Sequence, residues 1–229
     1  MRKKDKQRIL IATGITIVFG AIVLAVVVWH DRKLQRVKPK KLKDLVKEDL
    51  KFWSGIRETD RRGAEKIAQY WKLIGWNFST NQVMSPSFQN KYFWSAIYIS
   101  DLMNRWGAGD RFQYSSSHAD YIIAGKKAKQ EKDPDAIFWS YAPNQAKVEV
   151  GDLVGLARKS GLTYDNIYKG APTHTDLVYD IEKTSDGYIA HAVGGNVSNT
   201  VKSTKIHLDS SKRLKNPSKY LTVMKNQDV

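Results

Sequence analysis

Cysteine is absent from all 229 residues, which excludes a disulfide, a thiolate metal site and a cysteine nucleophile. That absence fits an exported protein that avoids misoxidation. Acidic residues are the minority charge, 23 Asp and Glu against 38 Lys and Arg, for a formal net charge of +15. The excess is uneven. Residues 1–45 hold 12 basic and 3 acidic side chains, a surplus of +9 that flanks an uncharged apolar run, where anionic lipid headgroups would meet it. No zinc-finger spacing or RNA-binding signature accompanies the remaining +6, so nucleic acid is not an expected partner. There is no internal repeat and no sign of a second globular unit. A hydrophobic content of 41% and seven Trp exclude a largely disordered chain and suit one domain with a sizeable core.

Residues 9–29 form a 21-residue run without a charge, closed by Trp29 at the place of an interfacial aromatic. The apolar part of a cleavable signal peptide spans only about 7–15 residues and ends at a small-residue site, so the run reads as an uncleaved transmembrane anchor behind a basic tail at 1–8. Five basic residues precede it and seven follow before Asp44, which leaves the orientation open on charge alone. Residues 30–50 read as a basic connector that turns helical near Leu42, Leu45 and Val46, with the domain proper at 51–229.

Ala64, Ile67, Ala68, Trp71 and Ile74 repeat at helical spacing, with Asp60 as a candidate N-cap and Gly75 as the stop. Residues 77–90, rich in Ser, Thr and Asn and holding Pro86, read as a loop. The stretch after it organises the chain: Ser95, Ile99, Leu102, Met103 and Trp106 share one helical face, and Trp94, Ile97 and Tyr98 crowd beside it. Ser95 falls in the first turn, where free N–H groups and the positive dipole end suit a nucleophile that generates an oxyanion; a cap or a small packing residue is the plainer reading. A further helix starts near His118, capped by Ser116 or Ser117, and residues 126–135 read as a charged loop.

From Val148 the periodicity becomes that of strands. Two short extended pieces flank Gly151-Asp152. Residues 173–181 then alternate, with His174, Asp176 and Val178 on one face and Leu177, Tyr179 and Ile181 on the other. Ser185-Asp186-Gly187 is a hairpin turn, and the return strand brings Asn196 to within about two residues of the level of His174 and Asp176. Gly194 and Gly195 would allow close backbone approach. Residues 200–208 make one more strand, and a Lys-rich tail from Ser210 closes the domain.

Trp94-Ser95-Ala96 heading a helix, Gly151-Asp152-Leu153-Val154, His174 with Asp176-Leu177-Val178, and Gly194-Gly195-Asn196-Val197 resemble, in order and spacing, the CHAP and NlpC-type papain-like cell-wall hydrolases. Through the segment from Tyr114-Ser115 to His118 and Tyr121, the chain is most similar to the bacterial family catalogued as domain of unknown function 2272. The likeness covers residues 64–206. It implies an α+β papain-like fold with helices packed on an antiparallel sheet. It also implies Ser95 as nucleophile, His174 as base, and Asn196 or Asp176 as the residue that orients the base. Trp94, His118, Tyr121 and Gly195 would be the binding residues of the cleft. Serine stands where those hydrolases carry cysteine, and a serine hydroxyl stays protonated until a base assists it within the reaction.

Two functions follow as expectations. One is a peptidoglycan amide hydrolase held at the bacterial inner membrane by a single span, its domain on the outer side. The other is an inactive papain-like module that grips a wall peptide or a partner protein in an envelope complex. His118, His174, His191 and Asp176 form no tight ligand motif, so no metal or other cofactor is expected.

Overall fold

Strands with apolar residues on both faces need cover on both sides, and the arrangement of the chain follows from that. The computed structural model describes residues 39–228. Its strands are β1 (Phe138–Tyr141), β2 (Leu153–Ala157), β3 (Thr173–Thr184), β4 (Gly187–Gly194), β5 (Lys202–Leu208) and β6 (Thr222–Asn226). They form one antiparallel sheet in the order β1-β6-β2-β3-β4-β5. Leu153, Leu177, Val193 and Met224 join a core built with the helices. Their neighbours Val154, Val178, Ala192 and Val223 face the other way, into a second cluster completed by Val148, Ile206, Leu208 and Leu214. The fold is thus mixed α+β with helices on an antiparallel sheet.

The helices are α1 (Pro39–Phe52), α2 (Arg61–Lys72), α3 (Thr80–Met84), α4 (Pro86–Lys91), α5 (Ser95–Trp106) and α6 (His118–Glu131). The helical turn expected near Leu42 and Val46 runs the length of α1, and both side chains are fully buried. Lys43 on α1 also donates to Asp180 on β3 at 2.7 Å. In α5 only Asn104 is exposed, so the helix lies inside the core rather than on it. Polar partners fix it there. The Trp94 indole N–H donates to Glu58 at 2.6 Å, and its ring stacks on Trp53 with centroids 5.1 Å apart. The Tyr98 hydroxyl donates to Asp49 of α1 at 3.1 Å, and Arg105 bridges Asp49 and Asp101 at 2.6 and 2.7 Å.

Several expectations are corrected. The loop at 77–90 is two short helices, because Ser79 and Gln82 form a reciprocal capping box and Ser85 caps α4 with Pro86 at its first position. The charged loop at 126–135 continues α6 to Glu131, since its Lys, Gln and Ala residues favour helix. Ile181 does not share a face with Leu177 and Tyr179; a bulge between Val178 and Asp180 inserts one residue and turns Ile181 to the second cluster. Asp60 precedes α2 but its side chain accepts from the Arg57 N–H instead of capping. The C-terminal tail does more than close the domain, since it supplies β6, an inner strand between β1 and β2. The hairpin turn lies between Thr184 and Gly187 as expected. The apolar run at 9–29 and the basic tail before it lie outside the described residues, among which no helix is long and apolar enough to cross a membrane.

Asp152 explains how a C-terminal strand holds an inner place. Fully buried at the entry to β2, it accepts the Asn226 N–H at 3.0 Å, the Glu149 N–H at 2.7 Å and the Lys225 ammonium at 2.6 Å. Asp152→Ala leaves those donors without their acceptor, and breaking a buried pair of this kind costs about 3–5 kcal/mol. The expected outcome is an unfolding free energy lowered by that amount, with a correspondingly lower midpoint, measured by urea titration of tryptophan fluorescence.

Candidate functional site

Ser95 is the first residue of α5, preceded by Trp94 at the N-cap. The Tyr98 N–H closes the first turn on the Trp94 carbonyl at 3.0 Å, and the amides ahead of it stand outside the i to i−4 ladder. The Ser95 hydroxyl is 2.7 Å from Nε2 of His118, the first residue of α6. On its other side the His118 ring meets two hydroxyls: Nδ1 lies 2.9 Å from Thr175 Oγ1 on β3 and also contacts the Tyr121 hydroxyl one turn along α6. Tyr121 and Thr175 are themselves bonded at 2.8 Å. With the ring proton on Nδ1, donated to these hydroxyls, Nε2 is an acceptor for Ser95.

Burial first, and then the charges of His174 and Arg158, push His118 well below the ordinary histidine value of 6.5. The imidazole is therefore neutral at neutral pH. Burial likewise raises Tyr121 well above 10, against a lowering contribution from Thr175, so its phenol keeps its proton.

A second histidine stands beside the first. The His118 and His174 ring centroids are 5.0 Å apart, and His174 Nε2 is 2.8 Å from Asp176 Oδ1. The other oxygen of Asp176 accepts from Thr204 of β5 at 2.9 Å. Ser95, His118, His174 and Asn196 line one cavity of about 550 Å³, together with Phe93, Arg158 and the loop residues ahead of β3. This is ample for a peptide segment. Another cavity, of about 440 Å³, is lined by Arg111, Lys127 and Glu131, and shares only the Tyr121 ring with the serine site.

The residues expected from sequence are thus gathered, with changed partners. His118, expected only to line the cleft, is the histidine bonded to Ser95. His174 is bonded to Asp176, as their shared strand face implies. Asn196 lines the cavity with a left-handed backbone at φ 55°, and among the described residues no hydrogen bond joins it to His174. Trp94 is buried against Trp53 and does not line the cavity; the exposed aromatic at its mouth is the adjacent Phe93. His191 is apart from the site, paired with Glu182 at 3.2 Å. No group of three or more His, Asp or Glu able to hold a metal forms among the described residues.

Thr175, Thr204 and Arg158 were not legible as site residues. Strand alternation places Thr175 on the helix side, opposite its neighbours His174 and Asp176, yet nothing nearby in sequence signals that α6 supplies its partner.

The two glycines at the end of β4 serve close packing. A Cβ on Gly195 would fall 2.5 Å from Tyr98 Cβ, so α5 presses directly on this backbone. A Cβ on Gly194 would fall 2.0 Å from Asp176 Oδ1 and 3.1 Å from His174 Nε2. Gly194→Ala must therefore displace the Asp176 carboxylate. The expected outcome is loss of the His174–Asp176 hydrogen bond, read from imidazole ¹⁵N chemical shifts, with a stability cost of about 1–3 kcal/mol and the Ser95–His118 contact retained.

The family described as "Uncharacterized protein conserved in bacteria (DUF2272)" matches residues 53–227, and the chain belongs to it. No curated protein and no solved structure matches the chain.

Proposed function

We propose that this member of the DUF2272 family is a serine-dependent amide hydrolase of papain-like, CHAP/NlpC-related type. It acts on peptidoglycan from the bacterial membrane, held there by the apolar run at residues 9–29. The observation that carries the reading is the 2.7 Å contact between Ser95 at a helix start and a buried, neutral His118. A helix headed by the nucleophile, set against an antiparallel sheet that carries His174 and Asp176, supports the papain-like type.

In this mechanism Ser95 Oγ attacks the amide carbonyl carbon while its proton passes to His118 Nε2. The oxyanion meets the unladdered N–H groups in the first turn of α5. Collapse breaks the C–N bond, and the amine leaves with the proton returned by His118. Water then attacks the acyl-serine ester, again giving its proton to His118, and the acid departs as Ser95 regains its hydrogen. His174, fixed by Asp176 and Thr204, stands in the same cavity as a second hydrogen-bonding group for the substrate.

One observation favours the alternative, a cleft that grips a wall peptide or partner without cutting it. The far nitrogen of His118 meets hydroxyls where hydrolytic triads commonly place a carboxylate.

The same experiment decides between the two readings. The full-length chain, incubated with purified sacculi, releases soluble peptides. Ser95→Ala abolishes the release, and His118→Ala lowers it by about 10²–10⁴-fold, more than His174→Ala does. Release undiminished in Ser95→Ala overturns the hydrolase reading. Stable binding of sacculi by the wild type without release supports the alternative. The pH profile carries a further expectation. The base must be neutral, and His118 gains its proton only well below 6.5. The rate therefore stays on its plateau at pH 6.5 and falls only on further acidification.

A further inference from the structure

We propose that Arg158 makes the serine cavity selective for substrates that carry a free carboxylate close to the bond under attack, a specificity that rests on the hydrolase reading above. Arg158 is the first residue beyond β2, and its N–H donates to the Pro172 carbonyl at 2.9 Å. That bond closes the neck of the 158–172 loop and sets Arg158 beside the residues that lead into β3 on the wall of the cavity. Its side chain is exposed and makes no hydrogen bond or ion pair among the described residues. Arg105 and Arg111, by contrast, are committed to Asp49, Asp101 and Asp228.

The cavity does nothing to neutralise this charge. Its lining includes no Asp or Glu. Asp176, two residues beyond the lining His174, gives its two oxygens to His174 and Thr204. The Arg158 charge is also felt at His118, where it adds to the depression caused by burial, so it acts within range of the reacting centre. An uncompensated guanidinium at the rim of a partly dry cleft attracts an anion, and its planar fork matches a carboxylate through two parallel N–H···O bonds. Ser116 and Ser117 on the same lining add hydroxyl donors. Peptides of the wall-stem kind, which bear free carboxylates, have the required chemistry.

The test uses soluble stem peptides released from sacculi by a muramidase, and the same peptides after carbodiimide coupling to ammonia, which turns carboxylates into carboxamides. The full-length wild type is expected to cleave the acid forms with kcat/KM about tenfold or more above the amidated forms, the scale of one charge-assisted hydrogen bond. Arg158→Gln brings that ratio close to one, and Arg158→Lys, which keeps the charge but not the fork, falls between. Equal rates on the two sets by the wild type, or a ratio unchanged in Arg158→Gln, overturns the assignment. Calorimetric titration of Ser95→Ala and Ser95→Ala/Arg158→Gln with both sets reads the same preference without turnover. If the wild type cleaves neither set but binding keeps an Arg158-dependent preference, the hydrolase reading fails and the carboxylate site stands. Equal binding of both sets overturns the carboxylate site itself.

Discussion

The approach of α5 to the end of the β3–β4 hairpin is the contact on which the rest of the structure depends. It is so close that the residue just past β4 has no room for a side chain, since any Cβ at Gly195 would overlap Tyr98. A helix that deep cannot be held by apolar packing alone, because its polar groups lose water on all sides. The chain answers with partners from α1 and the segment after it: Asp49 for Tyr98 and Arg105, Glu58 for the Trp94 indole. α1 is therefore a structural member of the domain. By fixing both ends of α5, these bonds also fix Ser95, whose useful geometry is a matter of tenths of an ångström.

Around Ser95 the same accounting produces the site. His118 is buried, and a buried imidazole is tolerated when it is neutral and both nitrogens are satisfied. Ser95 satisfies one side, and Tyr121 and Thr175 satisfy the other. The three elements that meet here, α5, α6 and β3, are thereby tied by a polar cluster inside an otherwise apolar interface. His174 and Asp176 reach the same cavity from the opposite strand face, and Gly194 gives Asp176 the space to turn toward His174.

How much of this was legible in sequence follows from how local each interaction is. The burial of α5, the hairpin about Asp186 and the shared strand face of His174 and Asp176 rest on periodicity and local turn chemistry and follow from residue order alone. The pairing of His174 with Asp176, by contrast, is one of two alternatives, with Asn196, that the family resemblance implies. The capping box of Ser79 and Gln82 was equally local, but a run of small polar residues with a proline masks it as a loop. β1 and β6 were not readable as partners, because their pairing joins segments more than eighty residues apart and is completed by Asp152. The same limit applies to the site. His174 stood out because a strand carried it toward Asn196, whereas the contact of His118 with Ser95 depends on how α5 and α6 cross, which no spacing encodes.

The burial of His118 also bears on which nucleophile suits the first turn of α5, where the chain carries a serine. A cysteine nucleophile works as a thiolate beside an imidazolium, a standing pair of charges that must be stable before substrate arrives. Desolvation opposes that state at His118, and the charges of Arg158 and His174 oppose it further, since each disfavours a positive imidazole. A serine needs no standing ion pair, because its proton moves only as the carbonyl is attacked, and the neutral histidine that burial enforces is the form able to take it. Under the proposed mechanism the serine matches the electrostatics of its pocket. A thiol placed there would keep its proton, and with the same neighbours it would lose the advantage that makes cysteine the better nucleophile elsewhere.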